Sequence, residues 1–358
     1  MSGAEIWREP VRGGYPAPWV LGLAPSERLA LFRRSGSVPP LTHLTGAAFV
    51  GFGDGTAEAE MPASRWLLND AGVIGGGTLA ILADIAFGIA VETKLPPATP
   101  YTTAELSLTF LRPARPGAML SAHGQAIHVG RTVGLSEVFV IDPRGETLIA
   151  HGTSRLSILP AIEGLSEPPS DVDHDAAPEY EGPDPYLRPT PPDSIVGQEV
   201  WDELSGRELL ERHIRGELPS PAIHRLTGIE PTAVGDGTAA MRMPASEWLN
   251  SPARRLQGGA IAMLADMALM SAVLSTAPAR TAVAGVDLKV NFLRPVAGDG
   301  ADLVARAEVA HSGRTLAIAR GVVENAEGKP VMLATGSAMY LPDRPANLGA
   351  EVELAAAD

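Results

Sequence analysis

The chain has 358 residues, 45% hydrophobic and 20% charged, the make-up of an ordinary globular protein with enough length for two domains. A net charge of −14 argues against a general nucleic-acid surface, and the absence of cysteine excludes disulfides, thiolate nucleophiles and Cys-based metal sites. The longest apolar stretch, 78–91, is interrupted by Asp84 and too short to span a bilayer; with no signal pattern in Met1–Arg8, the expectation is a cytoplasmic protein without a membrane partner.

In chain order, residues 1–24 hold several Gly and Pro without periodicity and read as a tail. Ser26–Arg34 reads as a short helix with Ser26 as N-cap and Arg33 and Arg34 complementing the C-terminal dipole. Phe49–Phe52, the turn Gly53-Asp54-Gly55 and Thr56–Met61 predict a hairpin. The Ala-, Leu- and Ile-rich segment Gly77–Thr93 predicts a helix, apolar nearly all round and therefore enclosed. Thr103–Leu111, Met119–Val129, Thr132–Ile141 and Thr147–Ile158 predict strands separated by Pro- and Gly-containing turns. Residues 161–200, rich in Pro, Asp and Glu, read as an extended acidic linker, and 344–358 as a second tail.

The second half repeats the first. An offset of 182 aligns Gly46–Pro113 with Gly228–Pro295 without a gap, and 29 of 68 positions are identical. Register held that long identifies a duplicated domain, so domains span 25–160 and 201–343. Each half reads β-β-α-β-β-β-β, an α+β inventory satisfied by one antiparallel sheet wrapped around one helix. The two halves supply each other's pseudo-two-fold partner.

Asp84 is the lone charged residue of its predicted helix across 77–91, and Asp266 is its equal in the second half. A buried carboxylate costs several kcal/mol unless paired or protonated. Each is therefore either satisfied by backbone donors or water in the seam between halves, or catalytic. The glycine pairs Gly76-Gly77 and Gly258-Gly259 open the two helices, where free N–H groups and the dipole make an anion hole. Gly76 and Asp84 lie eight residues apart, or ~12 Å along a helix at ~1.5 Å per residue. A base and an oxyanion donor must both approach within roughly 3 Å of one carbonyl, which a single helix cannot arrange. Two antiparallel helices can, pairing Asp84 with Gly258 and Asp266 with Gly76.

The Gly-Gly-x-x-x-x-Leu-Ala-Asp helix, the Phe-Leu-Arg-Pro strand end (110–113, 292–295) and the Gly-Arg-Thr turns (130–132, 313–315) resemble hotdog-fold acyl-CoA thioesterases of the phenylacetate-degradation type, here in tandem. The resemblance covers about residues 40–160 and 220–343. It implies two hotdog domains packed as an intrachain pseudo-dimer, hydrolysis of acyl-CoA thioesters, and coenzyme A only as part of the substrate, with no metal or other cofactor. It assigns the helix carboxylate as activator of water or as nucleophile (Asp84, Asp266) and the glycine N–H as carbonyl donor (Gly258, Gly76). The family's His before the glycines is replaced by Gly75 and Gln257, of which Gln257 keeps a polar side chain for the substrate. A hydroxyl on the next strand is present as Thr103 and missing at Gly285, and the family's loop Asn is present as Asn69 with Ser251 opposite. One site thus combines Asp84, Thr103, Gly258, Gln257 and Ser251, and the other Asp266, Gly76 and Asn69, the first being the better equipped. Arg131, Arg314, Arg112 and Arg294 are candidates for CoA phosphates or ordinary strand-end arginines. Trp66 and Trp248 read as packing residues rather than acyl-pocket lining. The resemblance further implies that a homodimer of this chain would mimic a hotdog tetramer. The replaced His keeps a second class open, a non-hydrolytic acyl-thioester-binding protein.

Overall fold

A computed structural model describes residues 5–35, 38–167 and 179–346. Two helices, α1 (Pro25–Ser35) and α2 (Pro40–Thr45), precede the first repeat. That repeat runs β1 (Ala48–Gly53), β2 (Thr56–Pro62), the central helix α3 (Gly76–Glu92), β3 (Tyr101–Phe110), β4 (Met119–Val129), β5 (Val133–Asp142) and β6 (Thr147–Ile158). After α4 (Gln198–Glu203), α5 (Gly206–Ile214) and α6 (Ala222–Thr227), the second runs β7 (Glu230–Gly235), β8 (Thr238–Pro244), α7 (Gly258–Leu274), β9 (Thr281–Phe292), β10 (Asp302–Ser312), β11 (Leu316–Glu324) and β12 (Pro330–Pro342).

All twelve strands join one antiparallel sheet in the order β1-β2-β4-β5-β6-β3-β9-β12-β11-β10-β8-β7. The halves meet where β3 pairs with β9, and Ser107 pairs with Lys289, its own counterpart at the 182 offset. The pseudo-two-fold axis therefore passes through that pair. Helices α3 and α7 lie side by side in the concave face and are buried almost all round, as helices without a polar face must be. Their contacts run antiparallel: Gly77 meets Asp266, and Gly259 meets Ala80 and Asp84. The structure is a tandem hotdog fold.

Several local expectations are corrected. Ser26 lies inside α1, which starts at Pro25, rather than capping it. The six-residue helices α2 and α6 are too short for periodicity to reveal. Each ends at a left-handed glycine, Gly46 (φ 77) and Gly228 (φ 78), whose N–H returns to the helix. Helix α5 carries the capping box of Ser205 and Glu208.

The expected tail and linker are, over their described parts, packed straps. Ile6 is fully buried, and Glu9 O accepts the Trp248 indole N–H at 3.1 Å. In the linker, Arg188 O accepts the Trp66 indole N–H at 2.8 Å, and Tyr186 O accepts the Ser64 hydroxyl at 2.8 Å. The segment before the first repeat thus closes the second, and the segment before the second closes the first. Arg188 and Glu9 join the straps at 2.7 Å. Residues 168–178 of the linker and 347–358 of the second tail lie outside the described residues.

Candidate active site

Each carboxylate reaches the opposite helix start. Asp84 Oδ2 accepts from Gly259 N at 3.2 Å, and Asp266 Oδ2 accepts from Gly77 N at 2.8 Å. The amide in direct hydrogen-bond contact is the second glycine of each pair, and the first stands beside it: a Cβ on Gly258 would lie 3.0 Å from Asp84 Oδ2. Close approach explains the second glycine. A Cβ on Gly77 would lie 2.4 Å from Asp266 Cβ, and one on Gly259 would lie 2.3 Å from the Ala80 carbonyl oxygen. The first glycines sit under rings: a Cβ on Gly76 would meet Phe110 at 2.4 Å, and one on Gly258 would meet Phe292 at 3.1 Å. As first residues of their helices, Gly76 and Gly258 have no intrahelical acceptor for their N–H groups.

The two centres differ in what holds the charge. Thr103 Oγ1 donates to Asp84 Oδ1 at 2.8 Å, from a stretch of β3 bent by a bulge between Thr103 and Glu105. Burial pushes the Asp84 carboxyl up, while the Thr103 hydroxyl and the Gly259 and Gly258 amides pull it back. Asp266 faces Gly285 where Asp84 has Thr103, and its Oδ1 is buried without a partner. Burial raises this carboxyl to about 6 against the Gly77 amide, with the Asp287 carboxylate adding to the rise.

That rise has a consequence for stability. The folded pKa of Asp266 exceeds the unfolded value of about 3.9, so its contribution is fully present below that value and is lost as pH climbs through 6. Two pH units correspond to at most about 3 kcal/mol. Asp266→Asn keeps an acceptor for Gly77 and removes the charge. It is expected to raise the unfolding free energy at pH 8, with a much smaller gain at pH 4, as read by urea denaturation. An equal gain at both pH values would contradict the assignment.

Other expected positioning residues are turned elsewhere. Gln257 caps α7 by accepting from Ala260 N at 3.1 Å, and its amide donates to Ile81 O at 2.8 Å. This corrects its substrate-positioning role: the side chain fastens one helix start to the other helix. Asn69 Oδ1 accepts from Ala71 N and Val73 N, both at 3.1 Å. Ser251 Oγ accepts from Ala253 N at 3.3 Å and donates to Arg255 O at 3.1 Å. Both residues build their own loops instead of reaching a substrate, as Asx and ST turns do. Arg112 donates to Leu148 O at 3.1 Å and Arg294 to Pro330 O, so these two close strand ends. Arg131 and Arg314 are exposed in the β4–β5 and β10–β11 turns. Trp66 and Trp248 are buried packing residues.

Residues that sequence reasoning passed over also gather here. Phe110 and Phe292 cover the glycine caps. Arg254 and Arg255 lie exposed in the loop entering α7, where the first repeat has Gly72 and Val73. Arg254 takes the left-handed φ of 55° that Gly72 takes at 72°, and its guanidinium stacks over Tyr15. The signal that could have found them is difference between repeats, whereas identity alone had marked the site.

The thioesterase superfamily model matches residues 71–149 and 255–332, the helix and following strands of each repeat. An esterase candidate of Halobacterium salinarum is 37% identical over 95 residues, 25% of this chain, and the match spans 62% of that relative's length. Among solved structures, the TesB protein of Mycobacterium avium subspecies paratuberculosis is similar over 85% of this chain and 98% of its own (16% identity, TM-score 0.52). Acyl-CoA thioesterase II of Mycobacterium marinum is similar over 84% and 97% (13% identity, TM-score 0.50). A hotdog-fold protein of Alicyclobacillus acidocaldarius covers the same shares (14% identity, TM-score 0.50). These structural likenesses establish the fold, and the family matches fall on the helices that carry Asp84 and Asp266. Both repeats thus match the thioesterase superfamily model, one after the other, on a tandem hotdog fold.

Proposed function

We propose that the chain hydrolyses acyl-CoA thioesters, with the Asp84 site as the principal centre. The observation that carries this reading is the Asp84 carboxylate, buried yet held by Thr103 and by the amides of the opposite helix start. A thioester carbonyl oxygen would accept from Gly258 N–H, which stabilises the charge that develops on that oxygen. Asp84 would remove a proton from water as it adds to the carbonyl carbon. Collapse of the tetrahedral species breaks the C–S bond, and the departing thiolate takes up a proton. Attack by Asp84 itself, with water then opening the anhydride, balances equally. Thr103 keeps the carboxylate oriented in either route.

Arg254 and Arg255 enter as CoA-phosphate ligands, because they stand four and three positions before Gly258. The first repeat offers no arginine in the equivalent loop. Replacing both by Ala is expected to raise KM roughly three- to tenfold for an acyl-CoA, the equivalent of about 1 kcal/mol. The matching acyl-pantetheine, which lacks phosphates, should be unaffected. An equal rise for both esters would remove these residues from phosphate recognition.

Thiol release from a panel of acyl-CoAs, run beside calorimetric binding of the same panel, tests the whole reading. Binding without thiol release would favour the non-hydrolytic alternative. That alternative has its best footing at the Asp266 centre, where no hydroxyl meets the carboxylate.

A further inference from the structure

Beyond Asp84, α3 presents Gly88 and Glu92 at successive four-residue steps, on the stripe that faces β3. Tyr101 and Thr103, two apart on β3, share one face of the strand. Thr103 meets Asp84, and Tyr101 lies on Gly88, where an added Cβ would stand 2.8 Å from the phenol oxygen. The phenol donates to Glu92 Oε2 at 3.0 Å, and Glu92 Oε1 accepts from Arg28 Nε at 2.7 Å. Arg28 also donates to Leu21 O at 2.9 Å. Arg28 is 3% exposed and Glu92 7%, so the half-buried Tyr101 ring is backed by a buried clamp.

The second repeat replaces the members on its own helix and strand: Val283 stands for Tyr101, Met270 for Gly88 and Leu274 for Glu92. Met270 Sδ would lie 3.3 Å from a Cβ on Gly285, the counterpart of Thr103, and the clamped ring of Tyr101 is replaced by the smaller Val283.

The surroundings of Asp84 decide which part of a substrate meets the Tyr101 ring. Along the helix seam there is no room, since Gly259 already abuts the Ala80 backbone. The nucleotide end of CoA carries phosphates and must run to solvent, on the side of the exposed Arg254 and Arg255 loop. The clamped ring is left for the acyl group. Resting on hydrolysis at Asp84, we infer that Tyr101, clamped by Glu92 and Arg28, ends the acyl channel one helical turn past the carboxylate, ~6 Å. The Asp84 site then takes short acyl groups, whereas Val283, which offers no clamped ring, leaves the Asp266 site open to longer apolar chains.

The test uses the full chain in an Asp266→Asn background, with kcat/KM measured for acetyl-, butyryl-, octanoyl- and palmitoyl-CoA. Octanoyl-CoA should be at least about tenfold poorer than butyryl-CoA, in line with what added methylenes cost a closed pocket. Tyr101→Val, which installs the residue of the second repeat, should raise the octanoyl-to-butyryl ratio at least about tenfold, and Tyr101→Phe should move it less than about threefold. A flat length profile in the Asp266→Asn chain overturns the inference without any Tyr101 variant, so it stays decidable if Tyr101→Val fails to fold. An unmoved ratio in Tyr101→Val, or an equal shift in Tyr101→Phe, overturns it too. Loss of thiol release from every ester, with wild-type chain included, instead overturns the hydrolytic reading on which it stands.

Discussion

Asp84→Asn is expected to lower kcat/KM for acyl-CoA hydrolysis by roughly 10²–10³, the size typical of losing a positioned base or its charge. Asp266→Asn is expected to cost less than about tenfold, because no hydroxyl orients that carboxylate and one of its oxygens has no partner. The asparagine keeps the size and the acceptor oxygen, so the change isolates ionisation from packing. The inequality follows from what touches each carboxylate. Asp84 has a hydroxyl on one oxygen and an amide on the other, all favouring the ionised form. Burial, with the neighbouring Asp287 charge, raises Asp266 to about 6 against its single amide, and its second oxygen has no partner. Rates measured at pH 8 with a short acyl-CoA check it. Equal losses in the two variants, or full activity in Asp84→Asn, would sink the assignment of the principal centre.

Gly259→Ala is expected to cause a large loss of stability. Its methyl carbon would stand 2.3 Å from the Ala80 carbonyl oxygen and 2.5 Å from the carbonyl carbon, both backbone atoms of the facing helix. Backbone cannot rotate aside as a side chain can, so the two central helices must separate over their shared core. Overpacking of this kind costs about 1–3 kcal/mol and occasionally more; the upper end is expected here. Gly75→Ala is the control, since its nearest new neighbour would be Thr78 Oγ1 at 4.0 Å. Urea denaturation of both variants beside wild type reads the difference. A Gly259→Ala chain within about 0.5 kcal/mol of wild type, the usual range of a neutral surface change, would mean that the helices are not in the described contact.

The strands themselves were legible because each is bounded by local chemistry. Met119–Val129 and Thr147–Ile158 were read at the residues where they stand, between Pro and Gly turns. The central helix was displaced by one residue, expected over 77–93 and standing at Gly76–Glu92. The straps were not legible, since each buries only a residue or two against a distant Trp and therefore shows no period. Nor were the roles of Gln257, Asn69 and Ser251: an amide or hydroxyl bonds whichever backbone group the fold brings near, and here that was Ala260 and Ile81, or the residue's own loop.

Sequence alone determined the duplication, the element order and the need for a partner helix, because periodicity, turn chemistry and an eight-residue spacing are properties of the chain itself. Tertiary structure alone decided that the second glycine of each pair holds the carboxylate and that Tyr101 stands over Gly88. Those outcomes depend on how closely two backbones approach, and separations of a few tenths of an ångström are set by packing across the seam rather than by any residue's neighbours in the chain.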